Sequence, residues 1–417
     1  MEQKGKLFYG WWIVAACFIL MFAGVGILIN TYGVLFGGIL ADTSFSRGGL
    51  GLYFTIMSLA IMVASPFLGR MLVKYNTQLV MTVCIVITGL AFMAFSQATQ
   101  LWHFYLIAII AGVFGAGTST LPASLLITNW FNDKRGTAMG IAFTGSGIGG
   151  MLCNPLAQSV INAYGWQMAY VILGLIFLVI MIPMALFVIK LHPSQKGLVP
   201  LGAEKEAEAG SAPSATVVGL TAGEVTKSPV FWLLGLSLFL TMFLFLGVQN
   251  NIPIWMQDMG HTPAVAASIM AAYMGVLVVG KMVVGAILDK FGAKVGITFC
   301  MGLVVVALFF FINGGSMVMA GLFVLAFAMG GPVATVWPSF IAGHLYGNLD
   351  YGTIYGFVQI FVTLGMAFAM PVTGAVYDST GSLMPVWYVF MALGVVVLLM
   401  FYLVLGRQPK LKEQWHS

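Results

Sequence analysis

Apolar residues form long, nearly uninterrupted stretches along the chain, separated by short clusters of Gly, Asn, Asp and basic residues. A helix needs about 20 mostly apolar residues to cross a bilayer. The pattern predicts twelve such spans, at approximately 8–38, 48–69, 78–97, 102–129, 136–163, 167–190, 228–256, 264–288, 295–313, 317–345, 352–377 and 384–405. The first of them is too long for the apolar core of a signal peptide, so we expect an uncleaved spanning helix.

One connection differs from the other, short ones. Residues 191–227 are rich in Ala, Glu, Lys, Ser and Pro and contain no aromatic residue, a composition typical of a linker. We therefore predict an all-α membrane protein with three parts: an N-terminal six-helix bundle at 1–190, a cytoplasmic linker at 191–227 and a C-terminal six-helix bundle at 228–417.

Composition narrows the class of protein further. Of the 417 residues, 60% are hydrophobic and only 7% are charged, whereas a soluble domain carries about 25% charged residues. This excludes a cytosolic enzyme, a nucleic-acid binder and a disordered chain. The four cysteines occur singly, without a Cys-x-x-Cys pair, so neither structural disulfides nor a zinc site is expected. We expect no cofactor, and since no ATP-binding domain is evident, the energy source must be a gradient.

The distribution of basic residues predicts how the chain is oriented in the membrane. With both termini placed inside, 15 of the 17 Lys and Arg residues fall on the cytoplasmic side, Arg47 falls outside and Lys281 falls within a span. The positive-inside rule supports this arrangement. We predict a multi-pass protein of the cell membrane with both termini in the cytoplasm, and the net charge of +5 follows from this topology.

The two halves are related by an internal repeat at a shift of 216 residues. Twelve glycines lie between residues 69 and 165, and six of them have a glycine 216 positions later. Examples are Gly115 with Gly331 and Gly165 with Gly381, and both prolines in the window also match. Six spans separate the repeat mates, so the halves share one orientation. Parallel repeats of this kind are typical of carriers that alternate access to a central site.

Two sets of motifs resemble a known family. The run Gly285-x-x-x-Asp289-Lys290-x-Gly292-x-Lys294 resembles the loop signature of the major facilitator superfamily. Its first-half copy, Gly69-Arg70-x-x-Val73-Lys74, lacks the Asp. A second set of motifs resembles more closely the monocarboxylate and oxalate:formate transporters, a family within that superfamily. These motifs are Tyr9-Gly10-Trp11-Trp12, Leu121-Pro122, the run from Asn129 through Arg135 to Gly140, Gly145-Ser146-x-x-Gly149 and Gly165-Trp166. The resemblance implies a twelve-helix carrier with gating residues at Gly285, Asp289 and Lys290.

Lys281 is the main candidate for chemistry. It lies eight residues before Asp289, or about 12 Å from the end of its helix at 1.5 Å per residue, which is near the bilayer midplane. All twelve acidic residues lie at the edges of the apolar stretches or outside them, so a bound anion is the most economical counter-ion. The alternatives are a Lys that extends to the interface or a neutral one among backbone carbonyls.

The family comparison supports this hypothesis and also shows two departures. Members carry an Arg at the matching point of span 8, which the resemblance implicates in holding the substrate carboxylate. Animal monocarboxylate carriers also have an Asp four residues earlier, where this chain has Leu277, and a Lys in span 1, where it has Asn30. Both groups are implicated there in proton coupling, so proton symport does not transfer by analogy, and Lys281 is the remaining titratable candidate.

Further polar residues lie at plausible depth in the spans. The candidates for substrate binding are Asn30, Ser119, Asn250, Tyr273 and Gln359. Each has the alternative role of an interhelical hydrogen bond. Arg135, on a predicted cytoplasmic loop, is a candidate for gating or topology, and Trp337 for the cytoplasmic gate or for packing. Span 11 offers no second cation of the kind that oxalate carriers use, which favours an acid with a single charge.

These observations predict a secondary carrier of small monocarboxylates of the lactate or pyruvate kind. It works by alternating access, as a monomer, with protons as the expected coupling ion. The alternative within transport is a carboxylate exchanger of the oxalate:formate type. A receptor or scaffold is a different class and would show no uptake. An enzyme would need paired carboxylates, a metal-binding His cluster or a nucleophile with its base, and the spans contain none of these.

Overall fold

The fold is known from a computed structural model that describes residues 8–203, 218–258, 260, 262–313 and 316–415. The middle of the predicted linker, 204–217, lies outside the described residues. The helices are α1 Gly10–Met21, α2 Tyr32–Asp42, α3 Arg47–Lys74, α4 Thr77–Ala94, α5 Leu101–Gly115, α6 Thr120–Trp130, α7 Arg135–Pro183, α8 Ala222–Lys227, α9 Pro229–Asp258, α10 Pro263–Ile312, α11 Met317–Gly330, α12 Val336–Tyr346, α13 Tyr351–Thr380, α14 Met384–Gly406 and α15 Gln408–Lys412. Short π-helices at Phe22–Ile27 and Met184–Val188 extend α1 and α7.

The described residues contain ten helical stretches that are long and apolar enough to cross a membrane. Two of these stretches include two predicted spans each, because α7 bends at Gly165 (φ 85°) and α10 bends at Gly292 (φ 81°). A positive φ is readily adopted by glycine and rarely by other residues. The ten stretches therefore carry the twelve predicted spans, and the predicted all-α membrane fold is confirmed.

Polar residues begin several of the helices. The side chains of Ser46, Asn76, Thr262 and Ser316 each accept a hydrogen bond from the backbone N–H three residues later. The short helix α8 begins with a capping box in which Thr221 and Glu224 satisfy each other's backbone N–H groups. These caps occupy the predicted connections because the first N–H groups of a helix have no partner within the helix.

Apolar side chains lie on the outward-facing surfaces of the helices as well as at the contacts between helices. Phe187, Val318 and Val179 are 75%, 71% and 69% exposed. Many residues of the same types are fully buried, such as Phe143 and Phe177. A soluble protein rarely exposes so much contiguous apolar surface. This distribution fits helices whose outer faces contact lipid.

The described residues divide into two compact units. The first comprises residues 8–218 together with Asp350–Gly356, and the second comprises Gly219–Leu349 and residues 357–415. Glycines allow close helix packing within the first unit: a Cβ on Gly26 would lie 2.6 Å from the Gly149 Cα, and one on Gly352 would lie 2.5 Å from the Gly69 oxygen. In the second unit, a Cβ on Gly365, the repeat mate of Gly149, would lie 2.3 Å from the Phe239 oxygen.

Each unit also fixes one end of the connection between them at an equivalent place. In the first unit, the backbone N–H of Leu201 donates to the Trp130 oxygen at 3.0 Å, and the Trp130 indole donates to the Lys190 oxygen at 2.8 Å. In the second, the N–H of Leu220 donates to the Tyr346 oxygen at 3.0 Å. Trp130 and Tyr346 are the last residues of α6 and α12, which are related by the repeat.

Candidate functional site

Lys281 lies within α10 and is 2% exposed. The helix continues from Lys281 through Asp289 up to the bend at Gly292. Gly280, the preceding residue, brings this part of α10 against α11, because a Cβ there would lie 2.9 Å from the Ala328 oxygen. A Lys at the centre of a spanning helix costs about 2.5–3.5 kcal/mol on insertion scales. Such a residue marks a functional site more often than a structural one.

Tyr273 lies eight residues before Lys281 on the same helix and is fully buried. Its hydroxyl donates to the Gln249 side-chain oxygen of α9 at 3.3 Å, and its ring stacks on Phe327 of α11 with a centroid distance of 5.7 Å. Tyr273 is therefore held from two sides by neighbouring helices. Such fixed aromatic side chains suit a binding site, because little conformational freedom remains to be lost.

Leu277, between Tyr273 and Lys281, is packed as an apolar residue. It is 8% exposed, and a Cβ on Gly331 would lie 2.5 Å from its Cδ1 atom and 3.2 Å from the Phe245 ring. The position where animal monocarboxylate carriers have an Asp is thus enclosed by hydrocarbon in this chain.

Span 10 of the second unit is not a continuous helix, and its interruption includes Gly331, the glycine that adjoins Leu277. The helix α11 ends at Gly330, a 3₁₀ turn covers Gly331–Ala334, and α12 begins after Thr335, whose φ and ψ are −125° and −56°. Non-helical backbone inside a membrane is tolerated where protein encloses it or where it lines a cavity. In transporters, broken spans of this kind form substrate sites.

Two buried polar atoms adjoin this interruption. The hydroxyl oxygen of Thr335 and the indole nitrogen of Trp337 have no hydrogen-bond partner among the described residues. Trp337 is fully buried, with its ring against Phe340 at 6.3 Å and Phe401 at 5.4 Å. Leaving such a group without a partner costs about 1–3 kcal/mol. Trp337 therefore packs inside the second unit, while its predicted role in gating remains untested.

Span 4 of the first unit is interrupted at the equivalent position. The helix α5 ends at Gly115, a 3₁₀ turn covers Ala116–Thr118, and Ser119 precedes α6 with φ −134° and ψ −123°. Ser119 is half-buried, and its hydroxyl is 3.5 Å from the Gly115 oxygen, which is long for a hydrogen bond. The hydroxyl of Ser119 thus retains most of its capacity to bind another group.

A small cavity adjoins the interruption of span 4. Its volume is about 20 Å³, and one water molecule needs roughly 10–15 Å³. The lining residues are Gly24, Leu28, Ile29, Met57, Ile61, Thr88, Phe92, Ala111, Gly115 and Ser119. Thr88 is 1% exposed, and its hydroxyl has no hydrogen-bond partner among the described residues. Thr88 was not among the residues predicted from the sequence; the small residues from Gly115 to Ser119 were the available signal for space beside it.

Asn30 follows the π-helix of span 1 in the first unit. Its side-chain nitrogen donates to the Ser146 oxygen of α7 at 2.9 Å, while the residue as a whole is exposed. The interhelical hydrogen bond considered as the alternative role of Asn30 is therefore present. Only the nitrogen is used in this contact, so the amide oxygen is still available to another donor. A role of Asn30 in binding stays a prediction.

The remaining predicted binding residues lie in the second unit. Asn250 is exposed on α9, between Gln249 and the buried Asn251, whose side chain donates to the Gly247 oxygen at 2.7 Å. Gln359 is half-buried on α13. The second unit therefore contains Lys281, Tyr273, Asn250 and Gln359, and the first contains Asn30 and Ser119. Of these six, Tyr273 and Lys281 share one helix.

The residues predicted for gating lie at the start of α7 and on the part of α10 that precedes its bend. The Arg135 side chain donates to the Phe131 oxygen at 3.0 Å and to the Thr128 oxygen at 3.4 Å, so it satisfies carbonyl groups at the end of α6. Gly285 is buried, Asp289 is half-buried and Lys290 is exposed, with its nitrogen 5.3 Å from the Phe291 ring centre. Arg135 therefore supports the local fold, and a further role in gating is untested.

Comparison with known proteins identifies the family. The described residues form two compact units, and each unit contains an interrupted span. Residues 11–342 and 250–415 match the Major Facilitator Superfamily, and the chain belongs to this superfamily. It is thus a transporter, multi-pass in the membrane, and not an enzyme.

Individual relatives of known sequence share only low sequence identity with this chain. The chain is 28% identical over 172 residues to monocarboxylate transporter 11 of Homo sapiens, which is 41% of this chain and 36% of that protein. It is 25% identical over 386 residues to the MFS-type transporter hasB of Aspergillus fumigatus, which is 89% of this chain and 83% of that protein. The alignments with the monocarboxylate transporter and with the yeast probable transporter MCH2 thus span only about a third of those proteins, 36% and 35%.

Solved structures share the fold at low sequence identity. The human organic anion transporter MFSD10 aligns with a TM-score of 0.70 and 15% identity, covering 94% of this chain and 99% of that one. The E. coli fucose:proton symporter FucP aligns with a TM-score of 0.68 and 14% identity, covering 94% and 97%. At such identities, the similarity concerns the fold alone.

Proposed function

We propose that the protein carries small monocarboxylates of the lactate and pyruvate class across the cell membrane by alternating access, as a monomer with both termini in the cytoplasm. In this proposal Lys281 binds the substrate carboxylate. The observation that carries it is the placement of this basic side chain, 2% exposed, in the interior of α10. The similarity to monocarboxylate transporter 11 supports the same substrate class.

Tyr273 and Gln359 are proposed to orient the substrate in the second half, and Asn30, Ser119 and Asn250 to complete the binding site. Buried aromatic groups and amides provide directional hydrogen bonds, whereas the Lys provides the charge. The carrier then needs the anion to stabilise the occluded state more than either open state.

Proton coupling is part of the proposal. A Lys ammonium can release its proton when it is transferred from water, whereas an Arg guanidinium stays charged. Lys281 is thus suited to carry a proton together with the anion. Exchange of two carboxylates is the alternative function, and it is favoured by the small number of titratable groups in the spans. For exchange, Lys281 would keep its charge throughout.

The test is uptake of labelled lactate into proteoliposomes that contain the purified protein, with and without an inward proton gradient. We expect the gradient to drive accumulation, and Lys281→Ala to reduce uptake about 100-fold, since losing one partner of a buried charge pair costs roughly 2–5 kcal/mol. Lys294→Ala is the matched control, because Lys294 is an exposed Lys just beyond the bend of α10 at Gly292.

Other outcomes decide between the alternatives. Uptake that requires a preloaded carboxylate would replace symport with exchange. Lys281→Arg should retain exchange and lose proton-driven accumulation, because Arg does not titrate in this range. Unchanged uptake in Lys281→Ala would overturn the role of Lys281, and no uptake of any small acid by the natural protein would overturn the substrate class.

A further inference from the structure

The two halves of span 5 differ in how much of their surface is covered. In α7, every residue from Gly136 to Gly150 is buried or half-buried, whereas most residues from Met151 to Tyr164 are exposed. The proposed orientation places Gly165, where α7 bends, on the outer side of the membrane. The outer half of span 5 is therefore the open half.

The exposed surface of this outer half has two faces of different chemistry. Leu152 and Leu156 are exposed on one face. Asn154, Gln158 and Asn162 follow one another at intervals of four residues and form an amide ridge along the helix. Leu156 and Gln158 lie about 160° apart around the helix axis, at 3.6 residues per turn. Since an amide without a hydrogen-bond partner in hydrocarbon costs about 2–7 kcal/mol, lipid suits the leucine face and not the amide ridge.

The inner end of the amide ridge adjoins Asn30. A Cβ on Gly150, one turn before Asn154, would lie 3.0 Å from the side-chain nitrogen of Asn30. One turn further in, the backbone oxygen of Ser146 accepts a hydrogen bond from that nitrogen at 2.9 Å. Asn30 is itself exposed. From Gly150 to Asn162 the helix rises about 18 Å at 1.5 Å per residue, so the ridge connects Asn30 with the outer end of span 5.

Span 1 leaves open space along the same part of α7. The helix α2 packs there, because a Cβ on Gly38 would lie 3.2 Å from the Ile161 Cδ1 atom. Gly33 and Gly37, one turn apart on α2, are exposed, and a Cβ on either would meet no atom within 4 Å. Side chains of the described residues therefore do not fill the space beside the outer half of span 1.

The amide ridge retains capacity to donate hydrogen bonds. The Gln158 side-chain nitrogen donates to the Asn162 side-chain oxygen at 2.8 Å. This contact uses one N–H of Gln158, which leaves its second N–H and the NH₂ group of Asn162 for another acceptor. The side-chain oxygen of Asn154 is buried without a hydrogen-bond partner among the described residues. Exposed, uncharged donors of this kind suit a carboxylate that is bound and then passed on.

The repeat shows that the fold does not need these amides. The positions of Asn154 and Gln158 are occupied in the second half by Met370 and Gly374. Met370 is exposed as well. The equivalent surface of span 11 is thus built without amides, so the ridge of span 5 serves something other than packing.

We propose that the amide ridge lines the outer approach to Asn30 and binds the carboxylate of an arriving acid before it reaches the transport site. This inference rests on the proposed transport of small carboxylates and adds an earlier binding step made by neutral amides. Each hydrogen bond replaces part of the hydration of the carboxylate, and its net contribution is small enough for the anion to move on. A ridge that contacts lipid or a second copy of the chain would be shielded from water, and the first experiment separates these arrangements.

The first experiment measures access of water to the ridge. Gln158→Cys and Asn162→Cys are treated in intact cells with a charged methanethiosulfonate that does not cross the membrane, and Leu156→Cys is the matched control from the opposite face. The four natural cysteines are buried. We expect both ridge variants to react at least roughly 10-fold faster than the control, because only the thiolate reacts and a thiol in lipid stays protonated. Added lactate should slow the reaction of both.

The second experiment measures lactate uptake into proteoliposomes as a function of lactate concentration. Gln158→Leu and Asn162→Leu should each raise KM about 2- to 10-fold, the equivalent of one neutral hydrogen bond, and leave the maximal rate unchanged. Gln158→Glu keeps the size of the side chain and adds a negative charge, so its KM should rise and then fall towards the natural value as salt is added. Leu156→Ala should leave KM unchanged.

The outcomes distinguish the amide ridge from the proposed function. Equal labelling of Gln158→Cys and Leu156→Cys would overturn the inference, and so would fast labelling together with a natural KM in both leucine variants. Loss of uptake in Lys281→Ala with a natural KM in Gln158→Leu would keep the proposed function and reject the ridge. Unchanged uptake in Lys281→Ala with a raised KM in Gln158→Leu would do the reverse. Absence of lactate uptake by the natural protein would reject both.

Discussion

The two interrupted spans, one in each unit, are related by the repeat and differ in what surrounds them. Ser119 and Thr335 occupy the same position after the two 3₁₀ turns. Beside Gly115 of the first unit there is open space, with the Thr88 methyl 3.9 Å from a Cβ built there. Beside its repeat mate Gly331, Leu277 lies only 2.5 Å from such a Cβ. The interrupted span therefore has free space beside it in the first unit, whereas side chains occupy that space in the second unit.

Polar groups are distributed between the halves in a complementary way. The repeat mate of Thr88 is the buried Val304, and the repeat mate of Lys281 is Ser65, whose hydroxyl already donates to the Ile61 oxygen. The second half therefore has the charge, and the first half has a neutral hydroxyl beside a cavity. The difference teaches that two halves related by a repeat can keep the same interrupted span while they carry different side chains beside it.

The largest expected difference in stability is between alanine substitutions at the two equivalent glycines, Gly331 and Gly115. Gly331→Ala should lower the free energy of unfolding by about 1–3 kcal/mol, because Leu277 and Phe245 must move to make room. Gly115→Ala should change it much less, since its Cβ meets only ordinary contact. Thermal unfolding of both variants in the same detergent measures the difference, and equal melting temperatures would contradict the packing described here.

A smaller effect, of opposite sign, is expected at Thr335. Its hydroxyl oxygen is buried without a hydrogen-bond partner among the described residues. Thr335→Val should therefore stabilise the protein by about 0.5–1 kcal/mol, because the substitution removes a polar atom that has lost its water. The comparison with Ser119→Ala, where the hydroxyl is half-buried, should show no such gain. A lower melting temperature for Thr335→Val would indicate that the Thr335 hydroxyl forms a hydrogen bond.

The smallest effect concerns the connection at the end of the first unit. Burial lowers the pKa of His192 below its ordinary value of 6.5, so the folded state favours the neutral ring. Its contribution to stability is present above pH 6.5 and is lost as the pH falls below that value. Exchange of the Leu201 amide hydrogen, which is bonded to the Trp130 oxygen, should therefore accelerate at lower pH relative to its intrinsic rate. His192→Gln should remove this dependence; if it remains, His192 is not its source.

Much of the fold could be predicted from local signals. The length of the apolar stretches predicts the spans, and the repeat predicts that Gly165 and Gly381 are equivalent; both adopt positive φ, at 85° and 70°. The backbone leaves the helical conformation at Gly165 and at Gly292, which lie between predicted spans. Hydropathy predicted the separation of these spans, but it did not reveal that a single glycine with positive φ makes each connection.

The candidate site was predicted less completely. Lys281 is recognisable because a charge within an apolar stretch is unusual in any context. Thr88 is not, because Thr is common in spanning helices and most of these hydroxyls bond to their own helix. Its significance depends on the absence of that bond, which is a matter of local geometry. Asn30 could be predicted in part. Its polarity within an apolar span made it a candidate, whereas its hydrogen bond to the Ser146 oxygen is known only from the structure.

The sequence by itself determined the class of this protein, the number of its spans, their repeat and the one basic residue inside them, because hydrophobicity, charge and glycine spacing act within a single helix or between neighbouring positions. The tertiary structure alone decided which spans are interrupted, where space remains beside the interruptions and which buried hydroxyls lack a hydrogen-bond partner among the described residues. These features depend on how side chains from several helices fill a shared volume. Packing of this kind involves residues far apart in the chain, so no local pattern records it.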